Sequence, residues 1–333
     1  MNYLILLIIF TVLNFTLFSL NEFIAKKIDL YDFPDFKRKI HSKKVPVTGG
    51  IFLYINIIIF LIIININNSS FYNMLFDGNR ELFSFIFLIS SLFVIGLYDD
   101  KYNLRPIPKI SISTIAILIS ILLNKNLLLE NLSFDTFNYH IELSNISTIF
   151  SVICVLIFLN ALNMFDGIDS QVSIYSIFIL LYIINKSSVT ALVFIFPALI
   201  FSVLYNFRKK LFLGDSGTNI LAGLISFCLI KFYNSTGNFA TDEIFLLMMI
   251  PGIDMTRLFI IRVINRKNPF FADNNHIHHL YLRKYTQKIT FFIIQFQILI
   301  PIVLYYFFNV NLLFLILLSL IIYIFVIFYF SNK

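Results

Sequence analysis

Charge is what this chain has least of. Of its 333 residues only 13% are Asp, Glu, Lys or Arg, while 59% are hydrophobic. Soluble domains carry about 25% charged and about 45–50% apolar residues. Half the usual charge cannot cover a soluble globule of this length, and so much apolar sequence excludes a disordered chain. Cysteine is as scarce. Cys154 and Cys228 both sit in apolar runs, which reads as two small buried hydrophobes and excludes a disulfide scaffold. There is no repeat at a period of 20–50 residues and no biased linker. The apolar run from Tyr3 to Leu20 lacks a basic segment before it and a small-residue cleavage site after it. It is therefore read as a retained membrane anchor.

What is present is a series of uncharged stretches. A spanning helix needs about 20 mostly apolar residues. The pattern predicts eleven such helices, near 3–20, 48–67, 82–98, 108–124, 146–163, 168–185, 189–206, 216–233, 244–262, 289–308 and 311–330. The last two divide one long stretch at Asn309-Val310-Asn311. Asp254 and Arg257 interrupt the ninth, making it the weakest. The expected fold is an all-α integral membrane bundle in a single polytopic domain. Alternating apolar residues between Asn131 and Leu143 predict a short extracytoplasmic β-hairpin.

The net charge of +7 then reads as orientation, and nucleic acid is not expected as a partner. With the N-terminus outside, the segments around 21–47, 99–109, 164–167, 207–215 and 257–288 and the C-terminus face the cytoplasm. They hold 21 of the 25 Lys and Arg residues, as the positive-inside rule requires.

Five of the 18 acids, Asp99, Asp100, Asp166, Asp169 and Asp215, lie at helix ends on the same side. Asp99-Asp100 at the end of the third span suit a hard cation or an acid–base pair, or simply face water. Phe212-Leu213-Gly214-Asp215-Ser216-Gly217-Thr218 places two glycines, an acid and a hydroxyl at a helix start. That suits phosphate on free N–H groups with a metal on Asp215; an ordinary N-cap is the plainer alternative. Asn160 to Ser170 brings amides and acids to the end of a helix, as a turn or a ligand pocket. His276, His278 and His279 suit a metal site or, more in keeping with the acids nearby, a phosphate clamp with Arg262, Arg266, Arg283 and Lys284. The segment 37–50 carries five basic residues and His41 before Gly49-Gly50, a pair that signals close backbone packing or a phosphate approach.

In this order the segments P-D-F-K-R-K-I-H with V-T-G-G, G-L-Y-D-D with Pro106 and Lys109, N-A-L-N-M-F-D-G-I-D, F-L-G-D-S-G-T and D-N-N-H-I-H-H resemble the polyprenyl-phosphate N-acetylhexosamine-1-phosphate transferases. The resemblance covers about residues 34–290. It implies transfer of a sugar-1-phosphate from a UDP-sugar to a polyprenyl phosphate, usually undecaprenyl phosphate, on the cytoplasmic face of the cell membrane. Mg²⁺ is the implied cofactor, with Mn²⁺ as the alternative ion, and a homodimer would suit the family. By the resemblance, Asp215 and Asp100 bind metal, and Asp99 and Asp100 are catalytic, with Asp99 as base. Lys43, Asn163, Asp166, Gly167, Ile168, Asp169, Asn206 and Phe212 belong to substrate binding, Phe212 by stacking on uracil. His276, His278 and His279 match the diphosphate or sugar element, in a form that points to UDP-GlcNAc. Four positions depart from the family pattern: Ser170 for glycine, Thr218 for serine, Asn103 for a third acid, and Lys284-Tyr285-Thr286 in place of a glycine-containing turn. A multi-pass transporter is the competing reading. It would place polar sites near the bilayer midplane, often in inverted repeats, whereas these acids crowd one face.

Overall fold

The computed structural model describes residues 3–34, 43–66, 70–269 and 274–331. Lys37, Arg38, Lys39, His41 and Asp273 lie outside the described residues. From the N-terminus, α1 (Tyr3–Ser19) turns into α2 (Asn21–Ile28) through a 56° bend. A two-residue antiparallel pair, β1 (Tyr31–Asp32) with β2 (Val45–Pro46), leads into α3 (Gly49–Ile66). Next come α4 (Ser70–Leu75), α5 (Asn79–Tyr102) and α6 (Pro106–Leu123), then β3 (Asn131–Phe134) and β4 (Tyr139–Glu142). The second half holds α7 (Ser147–Phe165), α8 (Gln171–Ser187), a 3₁₀ stretch (Thr190–Ile195) running into α9 (Phe196–Phe207), α10 (Gly214–Thr236) and α11 (Thr241–Ile264). The chain ends with α12 (Ile277–Leu282), α13 (Gln287–Phe308) and α14 (Leu312–Ser331).

This is a multi-pass membrane protein. Among the described residues nine helical stretches are long and apolar enough to cross a bilayer, and α1 with α2 makes a tenth if the bent pair is one span. All eleven expected apolar helices form. The sixth of them, α8, has only 17 residues, about 26 Å at 1.5 Å per residue, slightly less than the ~30 Å hydrocarbon core. The break at Asn309–Asn311 is real. Asn309 takes the left-handed conformation that ends α13, and the Asn311 side chain accepts from the Phe314 N–H to cap α14. The hairpin also forms, in the register Asn131↔Glu142 to Phe134↔Tyr139. Its turn is held by Asp242, which accepts from the Thr136 N–H at 2.9 Å.

Hydropathy and position run opposite ways. The α10 helix is the least apolar of the spans, yet it is wholly enclosed; α14 is the most apolar and is largely exposed. A helix surrounded by protein needs small residues for close approach, whereas one facing lipid needs apolar surface. Gly96 on α5 lets the first turn of α10 lie directly on its backbone: a Cβ there would fall 2.6 Å from the Asp215 carbonyl oxygen. At the opposite end of the same two helices, buried Lys231 of α10 pairs with buried Glu81 of α5 at 2.6 Å. The two helices are thus tied at both ends, and this fixes where the acids at one end stand.

Candidate active site

One cavity of about 790 Å³ opens where the C-terminal ends of α5, α7, α9 and α11 meet the N-terminal ends of α6 and α10. The hairpin lies at the other end of α7. Among the residues expected in the site, Asp99, Asp100, Asn163, Asp166, Gly167, Ile168, Asp169, Asn206, Phe212, Asp215, His276, His278 and His279 all line this cavity. Lys43 stands just before β2 and is not among the lining residues.

Backbone packing sets the floor. The Phe212 N–H donates to the Pro46 carbonyl at 2.8 Å, and the N–H groups of Gly49 and Gly50 donate to the carbonyls of Phe212 and Leu213 at 3.1 and 3.0 Å. Gly49-Gly50 therefore serves close packing. A Cβ on Gly49 would lie 2.8 Å from the Leu213 Cα, and one on Gly50 would meet the Ser216 hydroxyl and the Gly217 nitrogen. Gly214 has φ +72° and packs against the Asp100 carboxylate, a conformation and a clearance that glycine supplies at least cost.

Both acids expected to end the third span lie inside the last turn of α5, because Asn103 extends the helix before capping it in the left-handed region. Asp100 is directed into the start of α10. Its Oδ1 accepts from the Asp215 N–H at 2.7 Å, and its Oδ2 accepts from the Ser216 N–H at 3.0 Å and the Ser216 hydroxyl at 2.7 Å. The free N–H groups expected to meet phosphate are thus occupied by a carboxylate from another helix. Asp99 accepts from the Leu104 N–H at 2.6 Å and from Lys109 Nζ at 2.6 Å. Lys109 also pairs with Asp215, so a single ammonium bridges two acids. Thr218 donates to the Asp215 carbonyl at 3.2 Å and accepts from Asn163 at 3.3 Å, so threonine does at this position what serine would.

The loop after α7 adds a fourth acid, Asp166. Burial, then the charges of Asp215, Asp169 and Asp100, push the Asp166 carboxyl up to about 8. Ser170 is left-handed with φ 65°. Its hydroxyl donates to the Val203 carbonyl at 3.1 Å, a bond that glycine lacks. Asn206 adds a buried amide oxygen without a hydrogen-bond partner among the described residues, a group suited to a ligand donor.

The histidines enter from the far side. His276 and His278 stack with ring centroids 5.6 Å apart. His278 packs so closely on Gly167 that a Cβ there would meet its ring. Burial, and then the neighbouring His279 and His276, hold the His278 ring well below the usual histidine value of 6.5, so it meets a ligand as a neutral imidazole. Of the four basic residues expected beside this segment, only Arg262 lines the cavity. Arg283 and Lys284 turn toward α14, bonding the Phe330 carbonyl and the Tyr329 hydroxyl.

Sequence reasoning missed the groups that anchor these histidines. Asp254, Arg257 and Tyr323 meet beneath His276. The available signal was the interruption of an apolar helix by two charges, which by itself reads only as a weak span.

The family model for glycosyl transferase family 4 matches residues 82–233. An undecaprenyl-phosphate alpha-N-acetylglucosaminyl 1-phosphate transferase of Thermotoga maritima is 28% identical over 82% of this chain and 80% of its own length. The enzyme of the same name from Haemophilus influenzae is 29% identical over 82% and 78%. A probable undecaprenyl-phosphate N-acetylglucosaminyl 1-phosphate transferase of Bacillus subtilis is 27% identical over 77% and 70%. With these motifs gathered around one cavity, the chain is similar to glycosyl transferase family 4 over residues 82–233 and, over 82% of its length, to enzymes named as undecaprenyl-phosphate alpha-N-acetylglucosaminyl 1-phosphate transferases.

Proposed function

We propose that this protein transfers N-acetylhexosamine-1-phosphate, GlcNAc-1-phosphate in the first instance, from a UDP-sugar to undecaprenyl phosphate. The products are a lipid-diphosphate sugar and UMP, at the first membrane step of a cell-envelope polysaccharide. The observation that carries this reading is the two-sided cavity wall. Acids, amides and imidazoles line one part, while Ile110, Leu156, Ile157, Met255 and Phe259 line another. A cavity of that kind at the ends of spanning helices suits a lipid-tethered phosphate meeting a water-soluble polyanion. The relatives' names agree with a GlcNAc donor and an undecaprenyl acceptor. In this reading the cavity end is cytoplasmic, since the loops assigned to it hold 21 of the 25 basic residues, and their field draws in the nucleotide.

Asp99, oriented by Leu104 and Lys109, takes the remaining proton of the acceptor phosphate. A phosphate oxygen then attacks the β-phosphorus of the donor. The bond from that phosphorus to the bridging oxygen breaks, and UMP leaves with the electron pair. Phe212 offers a face for uracil, and Asn163, Asn206 and the Asp166–Asp169 turn offer its polar partners. The histidine segment reaches the diphosphate and sugar.

The donor set fits a hard divalent cation, Mg²⁺ with Mn²⁺ as the alternative, because every nearby anionic donor is oxygen and the acids crowd one another. Among the described residues no three His, Cys, Asp or Glu side chains are gathered to hold an ion by themselves. Mg²⁺ is commonly held by one or two carboxylates and completed by water and substrate phosphates. Asp215, with the remaining lone pair of Asp100 Oδ1, would hold it. The ion would neutralise the diphosphate and the charge on departing UMP.

The test is a transfer assay with purified protein, undecaprenyl phosphate, Mg²⁺ and a panel of labelled UDP-sugars. Labelled lipid with equimolar UMP is expected from UDP-GlcNAc. Absence of labelled lipid from every UDP-N-acetylhexosamine would overturn the reading. UMP release without lipid acceptor would replace direct attack by a two-step route.

A further inference from the structure

We propose that Asp254 on α11 and Tyr323 on α14 are positioning residues that fix the ring of His276 for the transfer reaction. The proposal rests on the function proposed above and extends it to residues outside the matched family region, 82–233.

Asp254 lies more than halfway along a helix that is otherwise fit to cross the membrane, and it is 4% exposed. A carboxylate at such a place is costly and is kept where partners and function require it. Its partners converge from three elements. His276 Nδ1 lies 2.9 Å from Oδ2. The Ile277 N–H donates to both oxygens at 3.2 Å. Arg257 and the Tyr323 hydroxyl each donate to Oδ1 at 2.9 Å. Arg257 Nε in turn donates to the Tyr323 oxygen at 2.8 Å, and its NH2 group donates to the Asn275 carbonyl at 2.7 Å.

An ionised carboxylate only accepts, so the hydrogen on the His276 contact belongs to Nδ1. That leaves Nε2 as the free nitrogen of a ring that lines the cavity. The hydrogen bond selects the tautomer and the ring plane, as second-layer carboxylates do for histidines elsewhere. The Ile277 and Asn275 contacts hold the backbone on both sides of the ring. Tyr323 supplies the brace from the last helix, so α14 reaches the site without lining it.

The test uses the full-length protein in detergent with Asp254→Asn, Tyr323→Phe, His276→Ala and the double variant Asp254→Asn/His276→Ala. Asp254→Asn is expected to lower kcat by about 10–100-fold while leaving KM for the UDP-sugar within about threefold. Tyr323→Phe should give a smaller loss of the same kind. The double variant should be no slower than His276→Ala alone, because both changes remove one function. Additive losses, or an Asp254→Asn enzyme with wild-type kcat, would overturn the proposal. A second readout is independent of activity. Spectra of ¹⁵N-histidine-labelled protein should show the His276 proton on Nδ1 in the wild type and its loss from Nδ1 in Asp254→Asn; an unchanged tautomer overturns the positioning role. A wild type that performs no transfer would sink the proposed function and leave the tautomer experiment to decide this inference.

Discussion

Asp100 caps a helix to which it does not belong. Its Oδ2 accepts both the backbone N–H and the hydroxyl of Ser216, at 3.0 and 2.7 Å, across the contact between α5 and α10. Removing a capping acceptor costs about 0.5–2 kcal/mol. Asp100→Ala is therefore expected to lower the thermal unfolding midpoint in detergent as well as turnover. Ser216→Ala removes only the hydroxyl contact and should cost less. If Asp100→Ala left the midpoint unchanged, the carboxylate would have no share in joining the two helices.

Lys109 is the only cation that the structure places between Asp99 and Asp215 among the described residues. In Lys109→Gln the two carboxylates lose their shared ammonium. Turnover should fall by about 10²-fold, the scale of losing one preorganised charge donor at a reacting phosphate. The Mg²⁺ concentration for half-maximal activity should also fall, because the ion no longer competes with an ammonium for Asp215. Activity titrated against Mg²⁺ measures both, and a higher Mg²⁺ requirement would show that Lys109 does not compete with the metal.

Asp166 makes stability depend on pH. An unfolded aspartate loses its proton near ~3.9, whereas in the fold burial and its acidic neighbours hold the proton up to about 8. Between those values the folded state binds more protons, so stability falls as pH rises through this window. The thermal midpoint should drop from pH 6 to pH 8, and the drop should be shallower in Asp166→Asn, which imitates the neutral carboxyl. Identical slopes for the two proteins would assign the dependence to another group.

Ser170 keeps a left-handed backbone at φ 65° and donates its hydroxyl to the Val203 carbonyl. Ser170→Ala loses the bond and keeps the strain, so it should destabilise by about 1 kcal/mol. In Ser170→Gly, release of roughly 1 kcal/mol of left-handed strain offsets the lost bond. Thermal unfolding of the two variants should rank alanine below glycine, with glycine close to wild type; the reverse order would show that φ here carries no strain.

The helices and the break at Asn309–Asn311 were legible because hydropathy and capping act over short stretches of chain. The α5 and α10 boundaries were less so. Asn103 prolongs α5 by one turn, drawing Asp99 and Asp100 into the helix, and α10 begins at Gly214 because Asp100 caps it from outside. The pair β1–β2 went unseen, since a two-residue strand has no periodicity. Asp254 was legible only as an anomaly: its partners His276 and Tyr323 lie 22 and 69 residues away.

By itself the sequence determined that lipid is the main solvent of this chain, that its apolar helices follow in a set order, and that most of its Lys and Arg residues fall in the loops at one end of them. Those properties follow from composition and from the energy of charge in hydrocarbon, which each stretch obeys alone. Only the tertiary structure decided what each charge does. Two acids adjacent in sequence part company: Asp99 turns to Lys109, while Asp100 caps α10. A helix N-terminus that suggested phosphate binding is closed by a carboxylate, and of the two roles open to a pair of glycines, backbone packing or a phosphate approach, the packing is what forms. Such outcomes depend on which helix faces lie against each other, and packing of that kind is settled between elements far apart in the chain.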